Sequence, residues 1–289
     1  MTISTLLSFA MLLLFPPASA GEAVDKSLPA NPDANVDIDN ICGTVKIVAW
    51  DREEVQVTGT LDEPTSTIRM NGGKSRIEIE LTNEGPADLG CGQLEIKLPP
   101  GVRLEIETVS ADVGVAGITG TLDLETVSGD VQVQGEPSEI EIETVSGDVV
   151  VSADTPAVSV ETVSGDVSIH AARGRLAAET VSGEIEIEGG PYSRVQVTSV
   201  SGDVDLSGTI LPAARVELGT HSGDVSLIIA PPENVAWALS TFSGRIEGFL
   251  AEHKVSGFGP GTTLAYLQGD GTTGITVSTH SGDIDIQRK

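Results

Sequence analysis

Basic residues are scarce in this sequence of 289 residues. Only 16 Lys and Arg accompany 43 Asp and Glu, which leaves a formal net charge of −27 at pH 7. Nucleic-acid binding depends on Lys and Arg that neutralise phosphates, so this composition excludes a nucleic-acid partner, and it disfavours anionic lipid for the same reason. Cations, basic peptides and neutral glycans are the partners that such a charge permits.

Cysteine is also scarce, because Cys42 and Cys91 are the only two in the chain. Two cysteines with no nearby histidine make a poor zinc site, and two unpaired thiols are the other alternative. In an oxidising compartment the pair could close the loop between them, which would stabilise the fold by roughly 3–4 kcal/mol on the chain-entropy model. The sequence favours the disulfide.

Charge is absent from the first twenty residues. An apolar stretch from Leu6 to Phe15 is followed by Pro16-Pro17 and ends in Ala18-Ser19-Ala20, which is the pattern of a cleaved secretory signal. The apolar run is too short to span a bilayer, and no cysteine stands at the cleavage site to carry a lipid. We therefore predict an exported protein, periplasmic or at the cell surface or secreted, with no integral membrane segment after signal cleavage.

Helical periodicity is missing after the signal, and a repeated motif fills the chain instead. Thr-Val-Ser-Gly-Asp-Val and its variants occur nine times, with motif serines Ser110, Ser128, Ser146, Ser164, Ser182, Ser201, Ser222, Ser243 and Ser281. Their spacings are 18, 18, 18, 18, 19, 21, 21 and 38 residues, and the last gap would fit two repeats with a degraded turn between them. Near-constant spacing of this kind is typical of a stacked repeat fold.

Each repeat has two strand-like arms around a turn. Leucine alternates with acid over 122–125, and valine alternates with glutamine over 131–134. Period-two alternation indicates half-buried strands, and Ser-Gly-Asp between the arms is typical of a turn. Because identical residues return in identical register, we expect each strand to pair in parallel with its counterpart one repeat later, about 4.8 Å away. The predicted fold is all-β, a single-chain parallel β-helix or β-solenoid with coils of about eighteen residues, two strands and two turns per coil.

The predicted chain has five segments. A signal peptide covers 1–20, a disordered leader 21–35, an N-terminal β cap with irregular coils 36–101, regular solenoid repeats 102–246, and a degenerate coil with a C-terminal cap 247–289. Irregular ends are expected because a bare solenoid end exposes unpaired strand edges.

Stacking the repeats produces two columns of acidic residues. One contains Glu107, Glu125, Glu143, Glu161 and Glu179; the other contains Asp112, Asp130, Asp148, Asp166, Glu184, Asp203, Asp224 and Asp283, interrupted by Arg245. Like charges about 5 Å apart repel by roughly 1 kcal/mol per pair in bulk water. The side chains must splay into solvent or be bridged by cations, for which Glu125, Glu143, Glu161, Asp130, Asp148 and Asp166 are the candidate ligands.

Calcium-binding β-rolls offer a precedent for such cation columns, but their turns follow G-G-x-G-x-D in both halves of the coil. Here only one turn carries Asp, and the partner turns contain Pro, Ala and Arg. The sequence therefore favours a solvated acidic face with no cofactor, and a calcium-ordered roll stays open as an alternative.

Catalytic constellations are weak in this sequence. The histidines are His170, His221, His253 and His280, and neighbouring repeats place Val or Phe at the position of His221 and His280, which argues against a Ser-His-Asp triad. A carbohydrate-active β-helix enzyme would need a groove with catalytic carboxylates and usually basic groups for an acidic sugar. Carboxylates abound, but the 16 basic residues show no cluster. We predict no enzyme, with that alternative open.

Most aromatic residues lie near the C-terminus. They are Trp237, Phe242, Phe249, Phe258 and Tyr266. We expect them to form a core and cap that close the open end, since terminal repeats are usually atypical. If their ring faces are exposed instead, they form the best candidate for a binding patch.

The opening segment and the repeats together resemble a known family. Val-Asp-Ile-Asp-Asn-Ile-Cys-Gly-Thr-Val-Lys-Ile-Val-Ala-Trp-Asp at 36–51, Glu-Val-Gln-Val at 54–57, Leu-Glu-Ile-Lys-Leu-Pro at 94–99 and the Ser-Gly-Asp ladder are similar to bacterial adhesin-like β-strand-repeat proteins that carry a domain of unknown function. The resemblance covers nearly all of the chain after the signal. It implies a β-solenoid at or beyond the inner membrane and supplies no catalytic residues. Cys42 departs from the small polar residue expected at its turn.

These observations lead to one preferred function. We predict a non-enzymatic, adhesin-like protein of the cell envelope whose flat faces present arrays of identical side chains. An envelope polymer, a glycan or a cationic peptide is the expected partner, because each can match a repetitive acidic surface.

Overall fold

The computed structural model of the chain describes residues 22–62, 66–83, 91–250, 254–256 and 261–289. These residues form 23 β-strands, and no helix occurs among them. The all-β prediction is therefore confirmed. Most of the strands pair in parallel. The predicted signal peptide, His253 and Phe258 lie outside the described residues.

The strands follow one another in three groups. The N-terminal strands are β1 (Glu22–Pro29), β2 (Asn35–Ala49), β3 (Glu54–Leu61), β4 (Ser66–Gly73), β5 (Arg76–Asn83) and β6 (Cys91–Leu98). The central strands are β7 (Arg103–Ile118), β8 (Thr121–Ser128), β9 (Val131–Gly135), β10 (Glu139–Ser146), β11 (Val149–Ala153), β12 (Ala157–Ser164), β13 (Val167–His170), β14 (Gly174–Ser182), β15 (Ile185–Ser201) and β16 (Val204–Ser222). The C-terminal strands are β17 (Val225–Ala230), β18 (Val235–Ser243), β19 (Ile246–Gly248), β20 (Lys254–Ser256), β21 (Thr262–Gln268), β22 (Thr273–Ser281) and β23 (Ile284–Arg288).

Successive repeats form layers that pair in strict register. Each layer has a first strand before the Ser-Gly-Asp turn and a second strand after it. Among the first strands, β8 pairs with β10, which also pairs with β12, all in parallel. Among the second strands, β9, β11 and β13 pair in the same way. Each residue is therefore bonded to the equivalent residue of the next layer, as with Glu143 between Glu125 and Glu161.

The core is built from the inward half of the alternation. In the layer of β10 and β11, Ile140, Ile142, Val149 and Val151 are each at most 1% exposed. The same four positions are filled by aliphatic residues in the layers above and below, so the core continues along the stack. Burial of each such side chain stabilises the fold by roughly 1.5–3 kcal/mol. The side chain is buried only when the layers on both sides are present, so the layers stabilise one another.

Glycine is required at the turn because adjacent layers touch there through their backbones. Gly147 has φ of 131°, and its N–H donates to the carbonyl oxygen of Ser164 in the next layer (3.2 Å). A Cβ on Gly147 would lie 2.2 Å from the carbonyl oxygen of Gly129 in the preceding layer. The Ser-Gly-Asp turn therefore joins the layers as closely as the strands do.

At the N-terminal end the layers do not follow sequence order. β2 pairs on one side with β5 and β6 and on the other side with β7, so it lies between strands that are later in the chain. β3 and β4 run antiparallel beside this layer, and β1 pairs antiparallel with β3. The prediction of a disordered leader over 21–35 is wrong for Glu22–Pro29, because β3 offers an unpaired edge that β1 covers.

The C-terminal end has the same interleaved order. β22 lies between β16 and β18, and β23 lies between β17 and β19, so the last repeat separates two repeats that precede it. The expectation that the 38-residue gap holds two further stacked coils is therefore wrong. The reason is that β21 returns antiparallel along one edge of β18, which leaves the other edge for β22.

Cys42 and Cys91 face each other across two neighbouring layers. They are directly paired residues of β2 and β6, and their sulfur atoms are joined as a disulfide with a Cα–Cα distance of 4.7 Å. Cys42 also pairs with Ser110 on its other side, so it occupies the serine position of the repeat. The crosslink thus fastens the outermost parallel layer to the layer of β2.

We expect the double substitution Cys42→Ser/Cys91→Ser to lower the free energy of unfolding by about 3–4 kcal/mol, because it opens a loop of 49 residues in the unfolded chain. Serine is the residue that the repeat itself uses at this position, so the folded state should lose little else. Guanidinium unfolding at equilibrium measures the change. The unsubstituted protein in reductant should give the same value, and an unfolding midpoint that ignores reductant would contradict the prediction.

Candidate functional site

A continuous row of carboxylates follows the outer face of the first strands. The parallel register places Glu80, Asp39, Glu107, Glu125, Glu143, Glu161 and Glu179 one above the other, which we name the carboxylate column. The row ends where Thr198 pairs with Glu179. The column is longer than the repeats alone predicted, because the interleaved β2 and β5 extend it by Asp39 and Glu80.

The carboxylates crowd one another at the N-terminal end of this column. The charge of Asp39 holds the pKa of Glu107 above its usual value, and burial followed by the charge of Glu80 raises the pKa of Asp39. In the neighbouring outward column, burial and then the charge of Asp123 raise the pKa of Glu141. The ionised carboxylates of this face therefore repel one another, and a positive charge placed among them would be stabilised.

A row of exposed valines runs beside the carboxylates. It contains Val109, Val127, Val145, Val163, Val181 and Val200, which we name the valine column, and each side chain is 47–50% exposed. In five of the six layers the valine stands two residues after a glutamate, and in the last layer Val200 follows Thr198 in the same way. The two columns therefore lie about 7 Å apart. This column was not among the features predicted from the sequence. The signal was present, because Leu122, Leu124 and Thr126 set the inward phase and Val127 falls outside it.

An open groove of about 650 Å³ lies between the two columns. Its walls are the carboxylates and the valines, and its floor is formed by threonines such as Thr144, Thr162 and Thr180. These threonines are 4–6% exposed. The Thr144 hydroxyl donates to the carbonyl oxygen of Ser146 (3.3 Å), whereas the hydroxyls of Thr162 and Thr180 have no hydrogen-bond partner in the described part of the chain.

The aspartates of the turn behave differently from the glutamates. The backbone N–H of Asp148 donates to Oδ1 of Asp130 (3.1 Å), and the N–H of Asp166 donates to Oδ1 of Asp148 (3.0 Å). Asp112, Asp203, Asp224 and Asp283 accept the same bond from the next layer. Besides solvation and cation binding, a third effect thus offsets the repulsion between these carboxylates. Each of them accepts a hydrogen bond from a backbone N–H of the neighbouring layer, which stabilises its negative charge.

Arg245 ends this aspartate column and does not interrupt it. Since the last repeat is inserted between two others, Asp283 lies next to Asp224, and Arg245 lies beyond Asp283. The Arg245 guanidinium contacts Oδ2 of Asp283 at 2.8 Å, and this hydrogen bond lowers the pKa of Asp283. The predicted order of the column was wrong here because it followed the sequence.

The six candidate cation ligands lie in two separate columns. Glu125, Glu143 and Glu161 stand in the carboxylate column, and Asp130, Asp148 and Asp166 stand at the turn. Among the described residues, no group of three or more His, Cys, Asp or Glu side chains is placed to hold a metal ion. Calcium binding by these columns stays a proposal to be tested by thermal unfolding.

The C-terminal aromatics do not share one surface. Trp237 is 2% exposed, and its ring makes a T-shaped contact with the ring of Phe249, with centroids 5.8 Å apart. Arg288 covers the Phe249 ring at 4.5 Å, and Tyr266 packs against the core. Phe242 is 50% exposed on another face. The described members thus include three that pack at the C-terminal end and one that faces solvent.

Phe242 belongs to a stack of flat rings that continues the valine column. The rings of His221 and His280 are parallel with centroids 4.8 Å apart, and Phe242 stacks on His280 at 4.8 Å. These residues occupy the position that valine holds in the earlier repeats. His170 lies apart from them, in β13. The ring stack thus replaces an apolar column of valines by an aromatic one.

We expect the protein to be more stable near pH 5 than near pH 7. The pKa values of Asp39, Glu107 and Glu141 are raised in the folded state, so the folded chain binds protons more readily than the unfolded chain. The folded state therefore gains stability as the pH falls towards the pKa values that these carboxyls have in the unfolded chain. The lowered pKa of Asp283 acts in the opposite sense, and its contribution is lost at more acidic pH.

Melting temperatures recorded from about pH 7.5 down to about pH 3 test this expectation. The curve should pass through a maximum, and molar salt should flatten its neutral side by screening the carboxylates. Glu107→Gln should raise stability at neutral pH and reduce the gain on acidification. A melting temperature that falls steadily from neutral pH would contradict the prediction.

The chain is similar to solved structures of two candidate adhesins. A crystal structure of a candidate adhesin from Bacteroides fragilis is 13% identical, with 93% of this chain and 98% of that chain covered and a TM-score of 0.45. A candidate adhesin from Parabacteroides distasonis is 13% identical, with 92% and 97% covered and a TM-score of 0.44.

No protein of curated function matches the chain. Within the described ranges, no helix is long and apolar enough to cross a membrane. The family model described as Toastrack DUF4097 matches residues 82–179 and 175–287, which together span more than half of the sequence. The expected membership of a family with a domain of unknown function is thus confirmed, and the chain belongs to the Toastrack family.

Proposed function

We propose that this chain is a non-enzymatic, exported, adhesin-like protein that acts at the cell envelope by binding a repetitive or elongated partner. The observation that carries the proposal is the repetition of identical outward side chains in strict register along the stack. Weak contacts repeated at a fixed interval add to a useful affinity when the partner can engage several at once. The apolar, uncharged first twenty residues support export.

The layers suit this role if they are the coils of a parallel β-solenoid of about eighteen residues each, which we include in the proposal. A solenoid is rigid along its axis because each layer is bonded to both neighbours. Its faces are flat and long compared with the partner groups they meet. Envelope polymers, glycans and cationic peptides are the proposed partner classes, since the net charge of −27 excludes strongly anionic ones.

Retention on isolated envelope material tests the proposal. The mature protein, residues 21–289, is mixed with insoluble cell-wall polymer, with outer-membrane fragments and with a panel of neutral polysaccharides, and depletion from the supernatant is measured. We expect saturable retention on at least one of them, with no soluble product released. Absence of retention across the panel would refute the proposal. Release of product, abolished by one carboxylate substitution, would establish the carbohydrate-active alternative.

The calcium-ordered alternative has its own test. Thermal unfolding of the mature protein is followed in millimolar calcium and in chelator, with sodium chloride of equal ionic strength as the control. Specific ion sites would raise the melting temperature by many degrees in calcium alone, as ligand binding to the folded state requires. Equal shifts in calcium and in sodium chloride would support an acidic face that is only screened.

A further inference from the structure

We propose that the groove between the carboxylate column and the valine column binds an amphipathic cationic helix that lies along the stack axis. The inference rests on the proposed binding function and names its partner class and its site. Three independent features of the groove support it, namely an exposed apolar wall, an acidic wall and a repeat distance close to that of a helix.

The apolar wall is unusual for a surface that faces only water. Five valines from Val127 to Val200 line the groove, and Val109 continues the column beyond it; each exposes close to half of its side chain. A polar β-branched residue such as threonine would fit the same backbone and avoid the exposed surface. A contiguous apolar strip on an otherwise charged protein usually marks a contact surface.

The acidic wall selects the charge of the occupant. The carboxylate column runs along the same groove through Glu107, Glu125, Glu143, Glu161 and Glu179. A second copy of the chain would bring another net charge of −27 against this wall, so self-association through the groove is electrostatically opposed. A partner with lysine or arginine beside leucine or valine satisfies both walls at once.

The repeat distance selects the conformation of the occupant. Layers are about 4.8 Å apart, and an α-helix rises about 5.4 Å per turn, so successive turns stay near successive layers within the reach of a lysine side chain. An extended peptide repeats its side chains every 6.8 Å or so on one face and falls out of step after one layer. The column from Glu107 to Glu179 spans about 19 Å, which corresponds to a helix of about 13 residues.

Hydroxyls without partners lie beneath the groove floor, too deeply buried to touch an occupant of the groove. Thr162 and Thr180 line the groove, are 6% and 4% exposed, and have hydroxyls with no hydrogen-bond partner in the described structure. Buried hydroxyls without partners are uncommon in folded proteins. Ser199, at the equivalent position of the next layer, also has a hydroxyl without a partner. These three consecutive layers lie between Thr144, which donates to Ser146 of its own turn, and Thr220, which donates to Gly202 of the preceding layer.

The test uses a designed peptide of about 14 residues with lysine on one flank and leucine on the other when helical. A peptide of the same composition in scrambled order, without an amphipathic helix, is the matched ligand control. Binding to the mature protein is measured by fluorescence anisotropy, and helix formation by circular dichroism of the mixture. We expect a dissociation constant in the micromolar range and at least about tenfold weaker binding of the scrambled peptide.

Two groove variants and one control variant assign the site. Glu125→Gln/Glu143→Gln/Glu161→Gln removes the acidic wall, and Val127→Thr/Val145→Thr/Val163→Thr removes the apolar wall while keeping the branched shape. Glu136→Gln/Glu186→Gln/Glu188→Gln changes the net charge equally on exposed residues outside the groove. Each groove variant should weaken binding by at least about tenfold, whereas the control should stay within about twofold. Melting temperatures verify that all three are folded.

Each outcome decides the matter. Equal weakening by the control variant would mean that net charge alone attracts the peptide, and it would overturn the proposal. Equal binding of the scrambled peptide would also overturn the proposal. So would a dimer in sedimentation experiments that the valine substitutions dissociate, because the groove would then be an interface between two copies of the chain. The same variants are also assayed for retention on envelope material. Retention on envelope material without peptide binding would reject the helix-binding groove and leave the proposed function standing. Peptide binding without retention would reject the proposed function and leave the helix-binding groove standing.

Discussion

Gly147→Ala is expected to lower the free energy of unfolding by at least about 3 kcal/mol, although it adds a single methyl group. The φ of Gly147 is 131°, a region that L-residues rarely adopt, and the added Cβ would lie 2.2 Å from the carbonyl oxygen of Gly129. That oxygen belongs to a backbone held by its own layer contacts, so neither side can move without breaking the register. Urea unfolding of the purified protein measures the change.

Gly114→Ala is the matched control for this substitution. Gly114 lies in β7, and a Cβ built on it would have no atom within 4 Å. Alanine there should leave stability within about 0.5 kcal/mol or raise it slightly by restricting the unfolded chain. If both variants behaved alike, the close contact between layers at the turn would not be what requires glycine.

Deletion of residues 273–289 should abolish cooperative unfolding of the C-terminal part of the protein. The deleted segment contributes Ile275, Val277, Ile284 and Ile286, all fully buried, whose burial is worth roughly 6–12 kcal/mol in total at about 1.5–3 kcal/mol each. This amount approaches the whole net stability of a typical domain. The deletion would also leave β16 and β18 facing an empty position, since β22 lies between them.

A deletion at the other terminus provides the comparison. Removing residues 1–29 takes away β1, which pairs with β3 alone among the described strands of its sheet and has Val24 and Leu28 only partly buried. This variant should keep a single melting transition at a moderately lower temperature. Calorimetry of both variants tests the contrast. A C-terminal deletion that melts in one transition, close to the full chain, would show that the last repeat is dispensable.

The repeat made most of the fold predictable. Once Ser128, Ser146 and Ser164 are aligned at intervals of 18 residues, the inward positions, the parallel pairing and the stacking of like residues follow from the period of a strand. The order of layers at the ends could not be predicted in this way. Insertion of β22 between β16 and β18 depends on which edge β21 occupies, a tertiary choice that leaves no mark in the spacing of serines.

The surface columns were only partly predictable. The acidic columns follow from register, but the capture of Asp130 Oδ1 by the N–H of Asp148 depends on turn geometry that composition does not reveal. The valine column was within reach of the sequence, because Val127 breaks the phase set by Leu124 and Thr126. It was overlooked because valine in a strand repeat is usually assigned to the core.

The uniform pairing of the central layers makes the length of the groove adjustable. A layer such as that of Glu143 meets the same partners above and below, so one more repeat of eighteen residues could be inserted, or one removed, with every neighbouring bond restored. Each such event would change the groove by about 4.8 Å while both interleaved ends stayed as they are. The number of central repeats therefore sets the length of the groove. Duplication or loss of a repeat can match the groove to a longer or shorter partner while the contacts between layers stay the same.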